Sequence, residues 1–270
     1  AITTANSTTG ASGGISLSGS GAVALNAALA TGTSNIAESG GADTATTGSI
    51  SVTSTGGAIT GNASGTLTTG AATVDGTTNN DSATSGTVTL NASGAIELVA
   101  ADALKVGNAT VTNGNAGDTA TTGNITVSSA DKLSSNGASG QVDVSFGTAS
   151  AGTGTPAAGK LNVTTDGGVG DAGGIFVQSG EALTVGTLNT ADATSQNITI
   201  AGTAITLAGD GGAYALDSDV VTINPTGAFT LSQALNLGSL SVSGGTTITI
   251  SNAITTANST TGASGGISLS

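Results

Sequence analysis

Short triplets with two apolar residues flanking one polar residue recur along the whole chain. Ile15 and Leu17, Ile50 and Val52, Val88 and Leu90, Ile125 and Val127, Leu161 and Val163, Ile198 and Ile200, and Ile248 and Ile250 each enclose a Ser, Thr or Asn. Period-two alternation puts both apolar side chains on one face of an extended strand. Gly, Asn or Ser bounds most triplets, which keeps the strands short. No stretch of 3.6-residue periodicity is long enough for a helix.

A longer period lies on top of the alternation. Ile50, Val88 and Ile125 stand 38 and 37 residues apart. Smaller steps within each period, such as Ile50, Ile59, Leu67 and Val74, are each one short strand plus a corner. One hexapeptide precedes each period: Asp43 to Gly48 (DTATTG), Asp81 to Gly86 (DSATSG) and Asp118 to Gly123 (DTATTG). A worn copy begins at Asp192. Strands this short cannot bury a face alone, so each must stack on the strand one turn away. The expected fold is all-β: a right-handed parallel β-helix (β-solenoid) of about nine to ten coils, three short strands per turn, with protruding loops. Ile15, Ile50, Val88, Ile125, Ile198 and Ile248 are its expected inward ladder. Asn26, Asn91, Asn162 and Asn224 each follow a strand and are expected at stacked corners. A β-sandwich would want longer strands and larger core residues.

The largest repeat is the chain's own beginning. AITTANSTTGASGGISLS at residues 1–18 recurs unchanged at 253–270. Residues 1–252 therefore read as one tandem repeat forming a continuous solenoid, and 253–270 as the start of the next. An array of near-identical blocks suits a molecule that spans distance or displays one surface many times.

Composition sharpens this picture. The 270 residues include 45 Gly, 3 Phe, 1 Tyr and no Trp, Met, Cys or His. A core without disulfides or many aromatics must come from small aliphatic side chains stacked regularly. The net charge of −13 makes nucleic acid and anionic lipid poor partners. No apolar stretch approaches the ~20 residues of a membrane helix.

At this point the runs GGISLSGSGAVALNAALAT, GSISVTSTGGAIT and GTVTLNASGAIELVA resemble the shaft of filamentous-haemagglutinin-type adhesins, large bacterial exoproteins of the two-partner secretion route. The resemblance covers nearly the whole chain. The family's N-terminal secretion domain is not recognisable in it. The resemblance implies a right-handed β-helix, a secreted or cell-surface location and a structural, adhesive role, with no catalytic residues.

Candidate chemistry is sparse. With no His, no Arg and three Lys, acid–base catalysis would fall to carboxylates, of which Asp166 with Asp171 and Asp217 with Asp219 are the densest pairs. No enzymatic activity and no cofactor are expected. Asp43, Asp81 and Asp118 are weak calcium candidates, since one carboxylate per motif falls short of the roughly six to eight oxygens calcium takes. The competing reading has each Asp cap its own turn. Thr87 with Thr89 and Thr247 with Thr249 suggest an ice-binding threonine ladder, but Ser, Asn, Glu and Asp interrupt it. Sequons occur at Asn6, Asn62, Asn80, Asn91, Asn108, Asn124, Asn162, Asn197 and Asn258, as expected in any chain so rich in Ser and Thr. The expected function is a structural shaft segment of a long surface adhesin or filament. The alternative is a repeated module whose loops bind glycans or receptors weakly and multivalently. Expected partners are neighbouring repeats of the same chain, then other cells, glycans or lateral copies of itself.

Overall fold

In the computed structural model, residues 1–37, 40–76, 80–135, 140–165, 174–190, 197–209, 214–256 and 265–270 are described. Among them every element is a β-strand, and every strand pairing is parallel. The strands form a 15-stranded sheet, a 9-stranded sheet and two 4-stranded sheets. Each turn of chain lays its strands on those of the turn before, so the molecule is a solenoid of stacked parallel strands.

The alternation sets the register. In the nine-stranded sheet one column runs Ile15, Ile50, Val88, Ile125, Leu161, Val185, Leu207, Leu231 and Ile250. All but Ile250 are buried. A second column of nine runs Val23, Ile59, Ile96, Leu133, Ile175, Ile198, Val221, Leu240 and Ile267 in the 15-stranded sheet. The six residues expected on one ladder thus divide among three. Ile15, Ile50, Val88 and Ile125 share the first, Ile198 lies on the second, and Ile248 follows Leu183, Ile205 and Phe229 on a third. Ile248 is half-buried and packs against the main core.

The turns have two sizes. Register partners in the nine-stranded sheet lie 35 to 38 residues apart from Ile15 to Leu161, and 19 to 25 apart beyond. The wide turns carry five short strands rather than three. The second of them comprises Ile50–Ser54, Ile59–Gly61, Leu67–Thr68, Ala72–Asp75 and Ser82–Thr84. The extra strands build the two four-stranded sheets, which enclose a small core of their own. Ile36, Val74 and Val111 fill one side of it and Ala45, Ala83 and Ala120 the other. This side lobe ends at Ala149–Ser150 and Thr155–Ala157. Pro156 sits on that last strand, where a missing N–H does no harm at a sheet edge.

The aromatic residues cluster from the last wide turn onward. Phe146, Phe176, Tyr214 and Phe229 are all buried. The Tyr214 hydroxyl donates to the Val185 carbonyl (2.7 Å) and accepts the Gly209 N–H (2.8 Å). Those two bonds allow a phenol inside a narrow apolar lumen.

Candidate functional site

The hexapeptide that precedes the second, third and fourth wide turns is the most distinctive chemistry in the chain, and its six positions have separate tasks. The Thr-Ala-Thr or Ser-Ala-Thr part is itself a strand, at Thr44–Thr46, Ser82–Thr84 and Thr119–Thr121. These strands pair in register, so the equal spacing in sequence becomes an axial stack. The alanines point inward and are fully buried, because the thin side lobe has no room for a larger residue.

Asp43, Asp81 and Asp118 stack at the corner before this strand. They do not sit on protruding loops; they are 9%, 1% and 0% exposed. The Asp43 N–H donates to Asp81 Oδ1 (2.7 Å), and the Asp81 N–H donates to Asp118 Oδ1 (2.9 Å). The Asp81 and Asp118 carboxylates therefore each satisfy the backbone of the turn before. At the end of the stack, Asp118 Oδ2 accepts the N–H of Asn115 from its own corner. The next turn has Gly154 in this place, where a Cβ would lie 2.3 Å from the Asp118 carbonyl oxygen. A fourth aspartate has no space there.

The last two positions, Thr or Ser followed by Gly, form a second ladder at the next corner. The N–H groups of Gly48, Gly86, Gly123 and Gly159 donate to the hydroxyls of Ser12, Thr47, Ser85 and Thr122 in the preceding turn, at 2.7 to 3.1 Å. A third corner repeats the device, with Gly32, Gly70 and Gly107 donating to Thr4, Thr31 and Thr69. Glycine is required because successive corners nearly touch. A Cβ on Gly86 would lie 2.1 Å from the Gly48 carbonyl oxygen, and one on Gly70 would lie 2.2 Å from that of Gly32.

Three of the four asparagines expected at stacked corners lie within strands instead. Asn91 and Asn162 point outward within strands, paired with Thr53 and Ser128 and with Thr126 respectively. Asn224 is paired with Ala201. Asn26 accepts a bond from Asn62 Nδ2 (3.3 Å) and so links two turns. Threonine, by contrast, forms a longer column than its sequence neighbours suggest. Thr184, Thr206, Thr230 and Thr249 stack in register beside a column of Ala182, Ala204, Ala228 and Thr247.

Carboxylates are otherwise dispersed. Asp219 is fully buried and accepts a bond from the Thr190 hydroxyl. Lys105 pairs with Asp102 (3.1 Å) and Lys132 with Glu97 (3.7 Å). Asp166, Asp171, Asp192, Asn258 and the side chain of Asp217 lie outside the described residues. Among the described residues no three acidic side chains gather where they could hold a metal ion. Asp81 and Asp118 spend carboxylate oxygens on backbone N–H groups, which removes them as ready calcium ligands. The melting temperature should therefore be the same in millimolar calcium and in excess chelator. A rise of several degrees in calcium would show that the ladder opens to take the ion.

Comparison of the chain with family models, with curated proteins and with solved structures finds no match.

Proposed function

We propose that the chain is an internal shaft segment of a long bacterial surface adhesin, secreted by the two-partner route and working mechanically. In this reading the solenoid is right-handed, as parallel crossovers are. Residues 1–252 form one repeat of about nine to ten turns, estimated from short strands stacked one per turn, and residues 253–270 open the next repeat. The observation that carries the proposal is the pair of nine-residue apolar columns running between two copies of one sequence. A rod of stacked turns resists bending because any bend must break backbone ladders and buried side-chain columns together. Its acidic sides keep it soluble and apart from its neighbours. It performs no catalysis. It holds a binding tip away from the cell or spans the gap between cells.

Stacking energy between neighbours makes the stability of a solenoid grow with its length. A protein of two joined repeats should melt roughly 5 °C or more above one repeat, as read by circular dichroism, and appear in electron micrographs as one straight rod. Equal melting temperatures, or a hinge at mid-length, would make each repeat an independent bead and would end the continuous-shaft reading.

A second reading draws on the side lobe. Thr44, Ser82, Thr119 and Thr155 form one outward column, and Thr46, Thr84 and Thr121 another. Such a face offers repeated weak hydroxyl contacts to a glycan. Binding of the isolated chain to a glycan array or to cells would favour it over a passive shaft.

A further inference from the structure

The side lobe leaves the rod and returns to it at nearly one point. Its strands lie in segments 33–47, 71–85 and 108–122, fifteen residues each, between the corner glycines Gly32 and Gly48, Gly70 and Gly86, and Gly107 and Gly123. In the first two segments one hydroxyl holds both ends. Ser12 Oγ accepts the Gly48 N–H (3.0 Å) and donates to the Gly32 carbonyl (2.6 Å). Thr47 Oγ1 accepts the Gly86 N–H (2.7 Å) and donates to the Gly70 carbonyl (3.0 Å). Two groups bonded to one oxygen are close neighbours. Each segment is therefore an excursion with a closed neck, the form of an Ω-loop packed by its own side chains. The fourth excursion, 148–158, is shorter and ends the lobe.

The rod is complete without these excursions. Stripped of them, the wide turns of 35 to 38 residues fall into the range of the narrow turns, 19 to 25. The buried side chains divide the same way. Ile36, Val74 and Val111 with Ala45, Ala83 and Ala120 belong to a core that shares no residue with the main one. The buried hydroxyls of Thr47, Thr69, Ser85 and Thr122 stand at the neck, each bonded to a corner glycine of the next turn. Packing therefore couples the two cores weakly. Three aliphatic side chains set among alanines give the lobe few apolar contacts of its own, which places it at the low end of local stability.

We infer that the side lobe is a strap that opens at its glycine neck as one unit while the rod behind it stays stacked. Opening breaks the pairing of both four-stranded sheets together with the ladder of Asp43, Asp81 and Asp118. It leaves both nine-residue columns of the main core intact. It also brings the three aspartates out of burial at once, so the rod carries an acidic tether that it hides when closed. The inference concerns the fold and holds whether or not the rod is an adhesin shaft.

Hydrogen exchange of the intact chain, read by mass spectrometry, tests it. Amides of Ser82–Thr84, Ala109–Thr112 and Thr119–Thr121 should share one protection factor. That factor should be about tenfold or more below those of Val88–Ala92 and Ile125–Ser129 on the rod. Thiol labelling gives a second reading, since the chain has no cysteine and Val74 and Val52 are both fully buried. In variants whose circular dichroism matches the parent, V74C should react with a maleimide about tenfold or more faster than V52C. The exchange experiment needs no substitution, so it decides the matter if either variant fails to fold. The inference is overturned if lobe and rod amides share one protection factor, or if the two thiols in folded variants react at one rate.

Discussion

Replacing Gly86 with alanine should cost the solenoid about 3 kcal/mol, in the upper part of the range for overpacking a rigid site. The melting temperature should fall by roughly 10 °C. The new Cβ would sit 2.1 Å from the Gly48 carbonyl oxygen, and the nearest atoms it meets, in Gly48 and Ser49, are all backbone rather than the yielding end of a side chain. Relief requires the two turns to separate. The bond from the Gly86 N–H to Thr47 Oγ1 (2.7 Å) lies at the same corner and would lengthen with them. Gly21 serves as the control, since a Cβ there meets nothing within 4 Å. G21A should melt within about a degree or two of the parent, as surface substitutions do. Thermal denaturation followed by circular dichroism distinguishes the two. If G86A melts with G21A, the corners are not the close-packed hinges between turns that the geometry requires.

The contrast between strand register and strand number marks how far the sequence could be read. Alternation in Ile50, Val88 and Ile125 placed these residues in one column, because parallel strands that bury one face tolerate no one-residue slip. Equal spacing placed Asp43, Asp81 and Asp118 at one corner for the same reason. Face number was hidden. The side lobe is built from Thr-Ala-Thr triplets whose inward residue is alanine, and alanine between threonines carries almost no hydrophobic signal. Five strands per turn therefore looked like three. Ile198 and Ile248 joined the wrong ladder because every triplet looks alike. Which face a triplet lands on depends on how many residues close the turn, and that number drops from 35 or more to 25 or fewer after Leu161. The aspartate ladder was invisible in another way. A lone acid in a Ser/Thr-rich hexapeptide reads as surface, and the amide that receives its carboxylate lies a full turn away, 37 or 38 residues along the chain.

The aspartate ladder should weaken when its last carboxylate is removed. Two N–H donors, those of Asp81 and Asn115, bond to the Asp118 carboxylate, and the site is 0% exposed. Leaving a buried donor without an acceptor costs about 1–3 kcal/mol. Two donors therefore put Asp118→Ala at about 3 kcal/mol or more. The asparagine variant separates hydrogen bonding from packing. Asn keeps one carbonyl oxygen, so D118N must abandon one of its two donors and should fall between D118A and the parent. Chemical denaturation at neutral pH gives both values on one scale, with the slope of each transition checked for a change in cooperativity. The order D118A, D118N, parent from least to most stable reflects a carboxylate that serves both the turn before it and its own corner. If D118N matches D118A, the carboxylate fills space at the corner and the hydrogen bonds contribute nothing to holding the turns together.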